Sequence, residues 1–184
     1  MQNTQWRCIH VRKRFERVVS LHLERQALET FVPSCRLHEG SPEGQPSFEV
    51  PLFPGYVFFK CDFVDRRAIF AIPGVLAMVR NARVRAAALA HEIEELQRLV
   101  NCGMTFELGP PRVAGRSVTV EDGPLRGLTG VLAKTKGKRR LVLPISLICR
   151  SVAVEIDDSW KLIYALSPQS EVPRRPQRYQ FGSR

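Results

Sequence analysis

The chain has 184 residues, 44% of them hydrophobic and 25% charged, with a net charge of +10. This is the composition of a folded globular protein; no apolar run approaches the roughly 20 residues of a membrane-spanning helix, and "MQNTQWRCIHVRKRFE" lacks the apolar core of a secretion signal, so the chain reads as cytoplasmic. The basic balance favours polyanionic partners such as nucleic acid or the surface of a ribosome or polymerase.

In chain order, Trp6 to Val11 predicts a short strand. From Arg14 the apolar residues Phe15, Val18, Val19, Leu23 and Ala27 recur at spacings of three and four, which predicts a helix to about Leu28. "ETFVPSCRL" predicts a strand and "HEGSPEGQPS" a hairpin or loop. Glu49 to Lys60, "EVPLFPGYVFFK", then breaks the alternation of a half-buried strand, in which successive side chains point to opposite faces. Either the domain covers both faces, or one face is left apolar for a partner. Pro54 fixes φ and Gly55 permits positive φ, so the pair suits the centre of a type II turn. Such a turn throws Phe53 and Tyr56 to the rim of the sheet and leaves Phe58 and Phe59 as core.

"DRRAIFAI" predicts a short helix, "GVLAMVR" a strand, and "ALAHEIEELQRLV" a helix with Leu89, Ile93, Leu96 and Val100 on one face. Glu92, Glu94 and Glu95 read as a solvent-facing run. This order predicts an α+β unit, with helices covering an antiparallel sheet, over residues 1–100. "NCGMTFELGPPR" has no clear period, and residues 101–113 read as a linker. Residues 114–167 hold short β-rich runs divided by Gly-containing turns, which predicts a small five-stranded β-barrel. The tail from Pro168 is polar, Pro-rich and basic, the composition of a disordered segment.

The four histidines form no HExxH pattern, and neither a phosphate-binding loop nor a dinucleotide fingerprint is present, so catalysis is not expected. The five cysteines have neither metal-binding nor disulfide spacing and read as buried thiols; no metal or cofactor is expected. Two basic clusters stand out. Arg12, Lys13, Arg14 and Arg17 crowd the entry of the first helix, against its dipole, which calls for an external anion or compensation by Glu16. "KTKGKRR", residues 134–140, reads as a hairpin tip that either binds RNA or keeps the turn soluble.

Trp6, the Arg14 to Leu28 helix, "PLFPGYVF", "PGV" at Pro73 to Val75, the linker and the Gly-rich barrel together resemble the NusG family of transcription elongation factors, over residues 4 to 166. "VEDGPLRGLTGVL", Val120 to Leu132, is similar to the KOW signature, and "HLERQA" with "PLFPGYVF" resembles the specialised RfaH-type antiterminators. One departure is that "RVRAAALAHEI" lacks the prolines the family often has there, which implies an earlier start for the helix. The resemblance implies that Leu52, Phe53, Pro54 and Tyr56 grip the clamp helices of the largest catalytic subunit of RNA polymerase. It implies that Arg12, Lys13, Arg14 and Arg17 meet the non-template DNA strand of the transcription bubble, and that pausing or termination is suppressed. Leu125, Ile148 and Arg150 are the implied partner residues of the KOW domain. Ile148 stands where housekeeping members carry an aromatic that contacts Rho or a small-subunit ribosomal protein, which argues against Rho and leaves the ribosomal protein. The alternative is a ribosome-associated or general RNA-binding KOW protein. The sequence leaves open whether the two domains touch; the β-branched "SVTVEDG" and "RLVLPISLI" favour a barrel over helices for the second.

Overall fold

β1 (Gln5–Val11) runs through the middle of a four-stranded antiparallel sheet, between β5 (Tyr56–Cys61) and β6 (Val75–Val79), with β2 (Glu29–Phe31) outside β5. The computed structural model describes residues 4–37, 48–62, 66–82, 84–104, 106–109, 115–135 and 137–165. The expected 38–47 loop and the 168–184 tail lie outside those residues. Since β1 and β2 are both antiparallel to β5, they are parallel to each other, and α1 (Glu16–Glu24) is the crossover between them. By the same argument α2 (Arg66–Phe70) connects the parallel pair β5 and β6 across β1, giving a ferredoxin-like split βαβ arrangement. A hairpin of β3 (Ser34–Leu37) and β4 (Phe48–Pro51) is inserted between β2 and β5, so the expected single strand over residues 29–37 is two, broken around Pro33.

Both faces of the sheet are dry, which explains the missing alternation at residues 56–61. On one face Ile9, Val11, Val57, Phe59 and Cys61 pack with Val19 and Leu23 of α1 and Ile69 of α2. On the other, Trp6, Cys8 and Phe58 share a core with Leu89, Ile93, Leu96 and Leu99 of α3 (Ala86–Asn101). The early helix start is observed: α3 begins at Ala86, behind an extended Arg85 whose side chain caps nothing.

The second half is all β, as expected, but it is an open six-stranded sheet rather than a closed five-stranded barrel. Its order is β12 (Leu162–Tyr164), β8 (Arg116–Val120), β9 (Thr129–Thr135), β10 (Lys138–Ile145), β11 (Arg150–Glu155) and β7 (Phe106–Gly109). The extra strand, β7, comes from the stretch read as a linker and pairs with β11 from Phe106↔Val154 to Gly109↔Ser151. Its weak β pattern, "FELG", acquires a strand geometry only because the β11 edge offers unpaired backbone groups.

α1 ends four residues earlier than its apolar stripe suggests. The Ala27 and Leu28 N–H groups donate back to the carbonyls of Glu24 and Leu23 at 2.9 and 3.2 Å, a Schellman closure with Ala27 at φ +59°. That left-handed position ordinarily takes glycine. Ala27→Gly is therefore expected to stabilise the protein by about 0.5–1 kcal/mol, relief of αL strain outweighing the added freedom of the unfolded chain. Urea unfolding midpoints of the two proteins provide the check, and a destabilised Ala27→Gly would contradict the assignment.

Candidate functional site

The turn that joins β4 to β5 is held from three sides. Tyr56 N–H donates to the Phe53 carbonyl at 3.1 Å, and Gly55 has φ +88°, as the Pro54-Gly55 pair predicts for a type II turn. The Gly55 carbonyl accepts the Val11 N–H at 2.8 Å, and a Cβ on Gly55 would lie 3.2 Å from the Val11 carbonyl oxygen. The Gly55 N–H donates to Glu16 Oε1 at 2.7 Å, with Glu16 only 3% exposed. Sequence reasoning offered Glu16 as one of two ways to compensate the basic cluster, the other being an external anion; Glu16 is instead withdrawn into the protein and holds the turn. Tyr56 stacks on His10 with ring centroids 5.3 Å apart.

The end of β1 lies in the same corner. The Arg12 N–H donates to the Gly74 carbonyl at 2.8 Å, and the Phe15 N–H closes a turn onto the Arg12 carbonyl at 3.0 Å with Arg14 at φ +70°. Arg12, Lys13, Arg14 and Arg17 are all exposed. Arg12 lies over the Phe15 ring at 5.4 Å, and none of the four forms an ion pair with a described carboxylate. Glu24 is held below the usual carboxylate range chiefly by the Thr30 hydroxyl and then by Ser20, Arg17 adding less. Two candidate sets, cationic and apolar, thus meet at one end of the N-terminal sheet.

The apolar set is not open to solvent. Phe53, expected with Tyr56 at an exposed rim, and Leu52, expected as a supporting residue, are 3% and 5% exposed; Tyr56 is half-buried, and Pro54 alone of the four is exposed. The reason is the C-terminal sheet. The core that holds Trp6, Phe58 and Phe53 continues without a break into Val118, Leu125, Ile145, Ile148 and Val152. Leu125 and Ile148, two of the three expected partner residues of that sheet, are 3% and 7% exposed, and Arg150 is exposed. The two expected partner faces are buried together.

α3 joins them. Ser146 donates its backbone N–H to Glu92 Oε2 at 2.8 Å and its hydroxyl to Glu92 Oε1. Thr129 N–H donates to Glu95 Oε2 at 3.0 Å. Arg98 donates to the carbonyls of Gly127 and Arg126 at 3.0 and 2.9 Å and to Glu95 at 3.3 Å. Asn81 adds a bond to the Ser146 carbonyl at 3.5 Å. Burial raises the Glu92 carboxyl above its ordinary range, partly offset by the two Ser146 bonds. Glu92 and Glu95 therefore belong to a contact between the two halves, whereas the sequence reading placed them in solvent.

The hairpin cations are differently placed from those of the N-terminal corner. Lys138 Nζ meets both Glu155 carboxylate oxygens at 2.7 and 2.9 Å, Arg139 lies 3.6 Å from Asp158, and Arg140 pairs with Glu107. Lys136 lies outside the described residues. All five cysteines are free; Cys8 and Cys61 are buried, burial pushing both thiols up, and Cys149 is exposed, against expectation. Among the described residues no cluster of three metal-ligating side chains occurs, and no helix is long and apolar enough to cross a membrane.

Residues 4–97 match the family model described as "Transcription termination factor nusG". No curated protein matches the chain. Among solved structures it is similar to NusG of Thermotoga maritima, at 19% identity and a TM-score of 0.48, over 84% of this chain and 93% of that one. It is also similar to conformations A and B of an MjSpt4:Spt5 complex, each at 15% identity, with TM-scores of 0.28 and 0.29. Those matches cover 86% and 87% of this chain and 98% and 97% of the others.

The Glu16 bond has a measurable weight. Removing one partner of a buried, charge-assisted hydrogen bond leaves the other unsatisfied, at a penalty of about 1–3 kcal/mol. Glu16→Ala is expected to lose that much stability and to speed amide exchange at Gly55 more than at the centre of β1, read by denaturant unfolding and hydrogen exchange. Glu16→Gln, which keeps an acceptor oxygen, is expected to lose less than half as much.

Proposed function

The chain belongs to the NusG family of transcription factors, and from that premise we propose that it is an elongation factor of the antiterminating, RfaH-like kind, working in the cytoplasm. Its N-terminal unit grips the clamp helices of the largest RNA polymerase subunit through Leu52, Phe53, Pro54 and Tyr56. Arg12, Lys13, Arg14 and Arg17 meet the non-template DNA strand. The second half, a KOW-type unit, recruits a further partner through Leu125, Ile148 and Arg150, with a small-subunit ribosomal protein favoured over Rho. Binding is the whole of the mechanism: the factor stabilises the processive state of the polymerase over the paused one.

The observation that carries this reading is the shared corner, where the Val11-to-Gly55 bond of 2.8 Å ties the apolar turn to the foot of the unpaired cations. A surface that must touch a protein helix and a nucleic-acid strand at once needs such an adjacency. The charge pattern supports it too, because Lys138, Arg139 and Arg140 pair with Glu155, Asp158 and Glu107, whereas none of the N-terminal four pairs with a described carboxylate. That weakens the part of the general RNA-binding alternative that would draw on residues 138–140. With Leu52 and Phe53 covered, the described arrangement is the resting one, and polymerase binding requires the two halves to part.

Transcription in vitro with purified polymerase makes the test, since the factor is expected to shorten pauses. Tyr56→Ala, on a half-buried residue at the rim, is expected to weaken polymerase binding about tenfold or more, as loss of an aromatic anchor does. Alanines at Arg12, Lys13, Arg14 and Arg17 are expected to abolish crosslinking to non-template DNA and to flatten the salt dependence of DNA binding by about 0.7 in log–log slope per cation. A factor without effect on pausing, or a Tyr56→Ala protein that binds as before, contradicts the reading.

A further inference from the structure

Where β7 and β11 run beside the 156–160 turn, the C-terminal sheet carries an open cavity of about 700 Å³. Neither Leu125 nor Ile148 lines it. Its apolar floor is Met104, Phe106 and Trp160, all half-buried. The Trp160 ring is held in place: it lies so close to Gly123, at φ +82°, that a Cβ there would fall 2.7 Å from Trp160 Cε2. The indole N–H meets no acceptor among the described residues. Around the floor stand the exposed acids Glu107, Glu155 and Asp157 and one cation, Arg140. Three carboxylates against one guanidinium leave the lining at −2 in a chain whose net charge is +10. Glu107 and Glu155 pair with Arg140 and Lys138, but at a solvated surface such pairs are worth little and are easily exchanged. Asp157 accepts the Ser159 N–H and hydroxyl at 2.8 and 2.6 Å and pairs with no described cation.

We propose that this cavity is the docking site of the chain's own residues 173–178, with the prolines on the aromatic floor and the arginines on the acids. The segment reads Pro173-Arg174-Arg175-Pro176-Gln177-Arg178, two prolines at three-residue spacing followed by an arginine. Segments of that pattern bind aromatic-lined grooves as a polyproline II helix, whose formation costs little entropy. With three residues per turn, Pro173 and Pro176 fall on one edge of such a helix and Arg175 and Arg178 on the next. An apolar edge beside a cationic one matches a floor of Trp160 and Phe106 beside Asp157 and Glu155. The backbone of a polyproline II helix forms no internal hydrogen bonds, so its carbonyls are acceptors for the Trp160 indole N–H. The connection is long enough. Ala165 stands five residues past Trp160, at most about 18 Å away, and the eight steps from Ala165 to Pro173 span up to about 26 Å. The inference goes beyond the polymerase reading and does not rest on it.

The test compares the full chain with a full chain carrying Pro173→Ala, Pro176→Ala and Arg178→Ala, substitutions that alter none of the described contacts. The probes are a synthetic peptide of residues 170–181 with blocked ends and the same peptide bearing the three alanines. In nitrogen–proton correlation spectra the Trp160 indole and the Glu155 amide are expected to shift between the two chains, while the indole of Trp6, 6% exposed in the shared core, stays where it is. The shift is expected to persist on tenfold dilution. The native-sequence peptide is expected to return the Trp160 resonance of the substituted chain to its place in the unaltered one. It is also expected to bind the substituted chain about tenfold more tightly than the unaltered chain, whose tail holds the cavity at an effective concentration on the order of millimolar. The alanine peptide is expected to do neither. The same Trp160 resonance in both chains, equal action of the two peptides, or no action of either overturns the proposal. So does a shift that vanishes on dilution, which makes the occupant the tail of a second copy, and so does equal binding of the native-sequence peptide to both chains, which leaves the cavity to a proline-rich segment of another protein. The assay contains no polymerase, so a factor without effect on pausing contradicts the polymerase reading and spares this one.

Discussion

α3 is engaged on two sides, one apolar and buried and one charged and partly open to solvent, and the rest of the molecule is arranged around that fact. Leu89, Ile93, Leu96 and Leu99 give it to the core beneath the N-terminal sheet, and Glu92, Glu95 and Arg98 give it to the turns of the C-terminal sheet. A helix used on both sides normally carries apolar residues all round. Here one side is charged, and buried charge is tolerated only where its hydrogen bonds are met. Glu95, 6% exposed, meets that condition with Thr129 N–H on one oxygen and Arg98 on the other. Backbone groups as partners fix where the sheet sits, since a turn N–H cannot rotate to follow a displaced carboxylate as a lysine would. Apolar contact alone is non-directional; the charged stripe supplies the direction.

The same economy of carboxylates decides where the protein stays cationic. In the second half Glu107, Glu155 and Asp158 are each spent on a cation of the 138–140 strand. In the first half the one acid within the basic run, Glu16, points inward to Gly55 N–H. An acid at the first turn of α1 also suits the helix dipole, so its burial there serves two backbone needs at once. The consequence is electrostatic: the field of Arg12, Lys13, Arg14 and Arg17 is left for solvent or for a polyanion, and it stands beside an apolar turn rather than on a bare helix face.

Much of this was legible in the sequence wherever the cause is local. The change of period after Val11 marks the passage from β1 to α1, the Pro54-Gly55 pair marks its turn, and the apolar row from Leu89 marks the inner side of α3. The unbroken Val57 to Phe59 run marked a strand without an open polar face, but whether the domain or a partner covers the second face was left open, and the structure shows the protein covering both. What was not legible depends on residues far apart in the chain. "HEIEELQR" carries its charges where any exposed helix would, and only Ser146 and Thr129, at separations of 54 and 34 residues, turn two of its acids into structural ligands. β7 was missed because "FELG" is too short to alternate, and its identity comes from the β11 edge. Phe53 was placed at a rim correctly as regards the turn and wrongly as regards exposure, because its cover belongs to the other half of the chain.

Burying the two proposed binding faces against each other would also couple them thermodynamically. Any ligand that binds only the parted form draws on the same equilibrium, so each one favours the other by an equal free energy, whatever the order of arrival. The strength of that coupling is bounded by the closed arrangement itself. If the halves parted freely, neither ligand would influence the other; if they were held by far more than a partner can supply, neither would bind. Three charge-bearing side chains and a shared apolar core hold α3 in place, and each charge-assisted bond adds only about 1.5–3 kcal/mol net. The charged stripe holds it in one defined pose while leaving it within reach of being opened.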